Sequence, residues 1–176
     1  MTIICAMREN GDTWIASDTQ TSDGWDHIND CGFKFVTTRD SAVGISGDLR
    51  TASIVEHHAN ELVQDVEGPI DFGQKLVPVL ERFKHGLNVG EGSFPNLRSS
   101  FILVSQNNVW MVACDLSFHR VQDGELAAYG SGMSYAYGVA FGLAGSLPAD
   151  EILTRCCEAA IKYDTHCGGE IIVRKL

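Results

Sequence analysis

Residues 1–20 read MTIICAMRENGDTWIASDTQ. Two short β-branched and apolar runs, 2–7 (TIICAM) and 13–18 (TWIASD), flank the pentapeptide RENGD. Its Asn10-Gly11 pair is a hairpin signal, because both central positions of such a turn need positive φ. The stretch predicts an antiparallel hairpin whose first strand begins at Thr2 and whose second ends on Asp18. Thr2 is open to two readings. It can be an ordinary strand start, or, once Met1 is removed, a nucleophile that carries its own base. An α-amine has a reference pKa of about 7.7–8.0, so part of it is neutral near physiological pH and can take the hydroxyl proton.

Outward from the hairpin, strand patterns recur at 33–38 (FKFVTT) and 42–46 (AVGIS), separated by the turn-like RDS. Helical periodicity then sets in over 47–66, with Leu49, Ile54, Val55 and Leu62 on one stripe. A second helix fits 71–86, with Pro78 as a kink or boundary. The Gly/Pro-punctuated stretch 87–98 reads as a loop. Three more strands follow, SSFILVS, VWMVACD and ELAAYGSG, the first two joined by a QNN turn. A small-residue helix over 133–145 precedes a stronger one in PADEILTRCCEAAIKYD. Pro148 opens the latter, and Asp150 and Glu151 suit the positive end of its dipole. EIIVRKL closes as a strand. There is no internal repeat or linker, so the expectation is a single domain over 1–176. Clustered strands alternating with helix pairs predict an α+β fold, two stacked sheets covered by helices on both sides.

Composition bounds the function. Apolar residues make up 44% and charged residues 20% of the 176, as in ordinary globular chains. A net charge of −10 argues against nucleic acid, whose phosphates need clustered Lys and Arg. No run approaches the ~20 apolar residues of a membrane span. The sequence shows no export signal, and its six cysteines form no CxxC pair. Reduced thiols in a cytoplasm are therefore expected.

Thr2, Asp18 and Lys34 form the first chemical set. Lys34 stands between Phe33 and Phe35, where a solitary ammonium is costly, and Asp18 ends an apolar strand. A buried pair would satisfy both, and the lysine's charge would bias a nearby amine towards its neutral form. GISGD supplies the second requirement. Gly44 and Gly47, at a strand-to-helix junction, can offer backbone amides to a developing oxyanion. The same residues also fit a plain tight turn with Asp48 capping the helix. Other motifs carry less. GSGMSY lacks the third glycine of a dinucleotide loop. His57-His58 diverge on a helix without further ligands at metal spacing, Cys5 reads as core, and Tyr135 and Tyr137 read as packing residues. No cofactor and no metal are expected.

Taken in order, the N-terminal hairpin, KF, GISGD, YGSG and YDTHCGGEIIV resemble the proteasome β-subunit superfamily of N-terminal nucleophile hydrolases, the bacterial HslV/Anbu-like peptidases in particular. The resemblance spans essentially the whole chain. It implies a four-layer αββα sandwich of two antiparallel sheets and a threonine peptidase acting through Thr2. It further implies Asp18 at the strand end, Lys34 as the lysine tuning the amine, and Gly44, then Gly47, as oxyanion donors. Ser131 corresponds to the serine bonded to the amine, and Asp164 to the aspartate supporting it. Cys167 replaces the usual serine of that last motif, and a thiol is a weaker hydrogen-bonding partner. Ser22 stands where relatives carry a substrate-contacting threonine, and Ala42 and Ser46 flank the region that shapes the specificity pocket. The implied partners are peptide or unfolded protein substrates and a homo-oligomeric double ring, with a separate ATP-dependent unfoldase as a further candidate. This chain shows no nucleotide loop, so any ATP use would belong to such a partner. Two rivals stand beside the peptidase: a ring subunit that keeps the fold without catalysis, and an amidohydrolase acting on a small amide.

Overall fold

The computed structural model describes residues 2–22, 27–28, 34–83 and 97–176. The opening hairpin forms, although its first strand starts at Ile4 rather than Thr2 and pairing extends to Glu9 and Asp12 beside the turn. Strand β1 (Ile4–Glu9) pairs antiparallel with β2 (Asp12–Asp18), Ile4 facing Ser17 and Glu9 facing Asp12. Asn10 and Gly11 close the turn at φ 52° and 87°. The hairpin is the centre of a four-stranded sheet. Strand β10 (Leu126–Tyr129) flanks β1, and β11 (Ile171–Lys175) flanks β2.

The second sheet has five strands in chain order: β5 (Phe35–Thr37), β6 (Ala42–Gly47), β7 (Ser99–Ser105), β8 (Asn108–Val112) and β9 (Phe118–Arg120). Period-two alternation sends each strand's residues into two cores. Ile3, Cys5 and Met7 face the helix side of the first sheet, whereas Ile4 and Ala6 point between the sheets. Phe101 and Leu103 of β7 likewise face helices, while Ile102 and Val104 meet Ile4 and Ile15 in the middle layer. Helices α4 (Met133–Leu143) and α5 (Ala149–Tyr163) cover the first sheet. Helices α1 (Leu49–His57), α2 (Ala59–Leu62) and α3 (Pro69–Arg82) cover the second. The fold is thus the αββα sandwich, with a separate two-stranded ribbon of β3 (Thr21–Ser22) and β4 (His27–Ile28).

Several boundaries differ from the sequence reading for identifiable reasons. The helix expected over 47–66 breaks at His58 (φ −104°), which ends α1 and precedes α2. Leu49 is 57% exposed and leaves the buried stripe of Ile54, Val55 and Leu62. It is the first residue of α1, directly after the Asp48 cap, where the side chain accepts from the Arg50 amide. Helix α3 starts earlier than expected, with Pro69 in the first-turn position that tolerates a missing N–H, and it runs through Pro78 without ending. Strands β3, β4 and β9 are additions to the expected set, being only two or three residues long and without a periodic signal. The readings on 84–96 and on Phe33 lie outside the described residues.

The two sheets pack tightly at Gly44. A Cβ there would strike Ile4 Cδ1, would lie 2.9 Å from Ile4 Cγ1, and would meet Ile15 Cδ1 at 3.4 Å. Gly44→Val should therefore destabilise the fold by about 1–3 kcal/mol in urea unfolding, as overpacking does. An unchanged midpoint would mean that the layer has room.

Candidate active site

The end of β2 places a carboxylate where water does not reach. Asp18 is fully buried. Its backbone amide stays tied to the first strand, donating to the Ile3 carbonyl at 3.3 Å. The side chain then turns back across the hairpin. Asp18 Oδ1 accepts from the Thr2 hydroxyl at 2.7 Å, from the Ile3 amide at 3.0 Å and from Lys34 Nζ at 2.6 Å. Its other oxygen accepts from the Gly168 amide at 3.0 Å. Thr2, Asp18 and Lys34 are therefore one cluster. Burial lowers the Lys34 pKa from its ordinary value, and the adjacent Asp18 charge opposes that shift without cancelling it.

The YGSG turn wraps the other side of Thr2. The Gly132 amide donates to the Thr2 carbonyl at 3.3 Å. Gly130, at φ 110°, passes so close that a Cβ there would strike that same carbonyl oxygen. Between these glycines Ser131 hydrogen-bonds Asp164. Burial works to raise the Asp164 pKa, but the Ser131 hydroxyl, the His166 amide at 3.0 Å and the Cys167 thiol at 3.5 Å outweigh it, and the carboxyl sits below its ordinary value. Cys167 Sγ is also 4.0 Å from Ser131 Oγ. Burial pushes the Cys167 pKa up to about 12, so it is present as a thiol.

The remaining candidates spread out. Ala42 is buried in the middle layer, and Ser46 is half-buried on β6. Gly44 is buried against Ile4, whereas Gly47 is exposed at the end of the strand, at φ 140°. The Ile45 amide donates to the Lys34 carbonyl at 2.9 Å and the Asp48 amide to Ser99 Oγ at 3.0 Å. Strand alternation therefore turns the Gly44 amide towards β7 and the Gly47 amide towards the side of Lys34. Ser22 sits in β3 opposite His27. Tyr135 stacks on Tyr163, and Tyr137 donates to Met111 Sδ at 3.7 Å. His57 is exposed, His58 pairs with Glu61, and no metal-ligand cluster occurs among the described residues. An open polar cleft of about 790 Å³ lies at the tip of the β5–β6 hairpin beside Asn60 and Glu67, and its lining contains none of the cluster. Sequence reasoning missed the Ile3 and Gly168 amides. The Gly168-Gly169 pair was their one visible trace.

An αββα sandwich whose first strand presents a threonine to a buried aspartate–lysine pair is the fold of the N-terminal nucleophile hydrolases. The chain is 26% identical over 182 residues to the ATP-dependent protease subunit HslV of Ligilactobacillus salivarius, covering 100% of this chain and 99% of that one. BPH from Thiobacillus denitrificans, solved in complex with epoxomicin, matches with a TM-score of 0.83 at 19% identity over 99% of this chain and 97% of its own. HslV from Trypanosoma brucei matches at 0.71 and 18% over 99% and 98%. Anbu from Yersinia bercovieri matches at 0.73 and 16% over 98% and 80%. No family model matches. The chain is thus similar over its full length to an HslV subunit and shares its fold with the solved HslV and Anbu structures.

The thiol chemistry is directly testable. At pH 8 Cys167 should resist iodoacetamide in the folded protein and react fully in urea, read by peptide mass mapping. Rapid native labelling would contradict the buried, protonated thiol.

Proposed function

We propose that the protein is a threonine peptidase whose nucleophile is Thr2, exposed by removal of Met1. The observation that carries this reading is the meeting of the Thr2 hydroxyl and the Lys34 ammonium on one oxygen of buried Asp18. A fold alone does not require that arrangement. In the proposed mechanism the neutral α-amine takes the Oγ proton as Oγ bonds to the substrate carbonyl carbon. The amine then gives that proton to the leaving nitrogen, and water releases the ester by the same route. Lys34 stays protonated, and its field favours the neutral amine. Ser131, held by Asp164 and Cys167, orients that amine. Of the two oxyanion candidates, exposed Gly47 is favoured over Gly44, because the Gly44 amide faces the β7 ladder.

The substrate is a peptide or an unfolded chain, hydrolysed inside a homo-oligomeric double ring fed by a separate ATP-dependent unfoldase. The full-length similarity to an ATP-dependent protease subunit supports this. So does the outer surface. No charged residue occurs between Gly130 and Asp150, and Phe141 there is 89% exposed. One observation favours a second reading, a subunit that keeps the fold without catalysis: the thiol of Cys167 at the amine-supporting position.

Two variants and a pH profile test the proposal. Thr2→Ala should lower hydrolysis of fluorogenic peptides by more than about a thousandfold with the fold intact by circular dichroism. Lys34→Ala should lower it by roughly 10²–10⁴-fold and also lower stability, since it leaves a buried carboxylate unpaired. Wild-type activity in either variant would refute the mechanism. The pH profile should be bell-shaped. Activity rises as the Thr2 amine loses its proton. It falls again as Lys34 loses its own, below the ordinary lysine value of about 10.4 because burial lowers it. A plateau persisting through pH ~10.4 would contradict the role given to Lys34.

A further inference from the structure

Asp18 is followed by two further buried polar residues, Thr19 and then Gln20, the latter only 7% exposed. Its contacts run across the fold to the loop that joins α5 to β11. Gln20 Nε2 donates to the Thr165 carbonyl at 3.2 Å. The backbone amides of Thr19 and Gln20 both donate to the Gly168 carbonyl, at 3.2 and 2.9 Å. The Thr19 hydroxyl accepts from the Glu170 amide at 2.8 Å. Gln20 also fills the space beside Gly168. A Cβ on Gly168 would strike the Gln20 side-chain oxygen and would lie 2.9 Å from Cδ. The loop held in this way carries Asp164 and Cys167 at one end and, at the other, the Gly168 amide that bonds Asp18 Oδ2.

We propose that Gln20 is a positioning residue for the Thr2 site, whose amide braces the 164–169 loop against the end of β2. The brace fixes Gly168 so that its N–H reaches Asp18, and it sets Asp164 beneath Ser131. Two parts of the site that are 150 residues apart in sequence, Asp18 and Gly168, are thereby held in one register. Gln20 touches neither Thr2 nor Lys34 in the contacts above. Its effect on chemistry is transmitted through Asp18 on one side and Asp164 on the other. The inference rests on Thr2 being the nucleophile, but the brace itself is a property of the fold.

The geometry makes Gly168→Ala and truncation of Gln20 equivalent. A methyl on Gly168 occupies the place of the Gln20 amide and must expel it. The test uses Gln20→Ala, Gln20→Met (similar length and packing without the amide), Gly168→Ala and the Gln20→Ala/Gly168→Ala double variant in the full chain. Each is read for kcat and KM on a fluorogenic peptide, for thermal midpoint, and for hydrogen exchange at the Gly168 amide. The expected result is a kcat lower by about 10–100-fold, as for outer-shell partners that orient a site. KM should stay within roughly threefold, as when an interaction made only in the transition state is lost. Exchange at Gly168 should accelerate at least tenfold, and the double variant should be no worse than the poorer single one. Gln20→Met with wild-type kcat and wild-type exchange would overturn the proposal. So would a double variant whose losses multiply, because the two sites would then act independently. If the wild-type protein shows no Thr2-dependent hydrolysis, the peptidase reading fails and the catalytic role fails with it. Unchanged exchange would separately remove the brace.

Discussion

One buried carboxylate organises the molecule. Asp18 receives four donors: a hydroxyl, two backbone amides and an ammonium. An isolated charge at that depth would cost several kcal/mol and would be expelled or neutralised. The four donors come from three places in the chain: the adjacent Thr2 and Ile3, Lys34 just before β5, and the α5–β11 loop. The cost of burying the charge is offset only when both sheets and that loop are in register. The same requirement gives the site its chemistry. Lys34 tolerates burial because Asp18 faces it; burial lowers its pKa from the ordinary value, and a positive charge held there favours the neutral form of a neighbouring amine.

Around that centre the packing follows from alternation. Odd residues of β1 feed the helix-side core and even ones the inter-sheet core, so Thr2 is held by a strand locked on both faces. The glycines are placed where backbones crowd. Gly130 and Gly132 close on Thr2 and Ile3, and Gly44 lets the second sheet pass beneath Ile4. Phe141 on α4 and Tyr163 at the end of α5 are exposed on the outer helices.

Much of this was legible in the sequence for physical reasons. The Asn10-Gly11 turn and the alternation beside it specify the hairpin, and a lysine between phenylalanines next to a strand-ending aspartate signals a buried pair. Helix α5 announced itself through Pro148 and its acidic first turn. What was not legible depends on distant backbone. The Gly168 amide and the Gln20 brace join residues about 150 apart, and neither leaves a periodic or charge signature. Gly44 stood first among the oxyanion donors through the resemblance carried by GISGD, while its close approach to Ile4 depends on how the two sheets stack. Leu49 read as core because periodicity ignores that a first-turn residue can point outward. The ribbon β3–β4 and the exposed strand β9 are too short to carry alternation.

The central claim is that Thr2 becomes an N-terminal nucleophile. Intact mass of the natively expressed protein, before and after incubation with a peptide epoxyketone, tests it most directly, because that reagent closes its ring only on a free amine beside a hydroxyl. The account predicts loss of the methionine mass and a single adduct that maps to Thr2 and is absent from Thr2→Ala. A protein that retains Met1 and forms no adduct, or one whose adduct survives in Thr2→Ala, would contradict it.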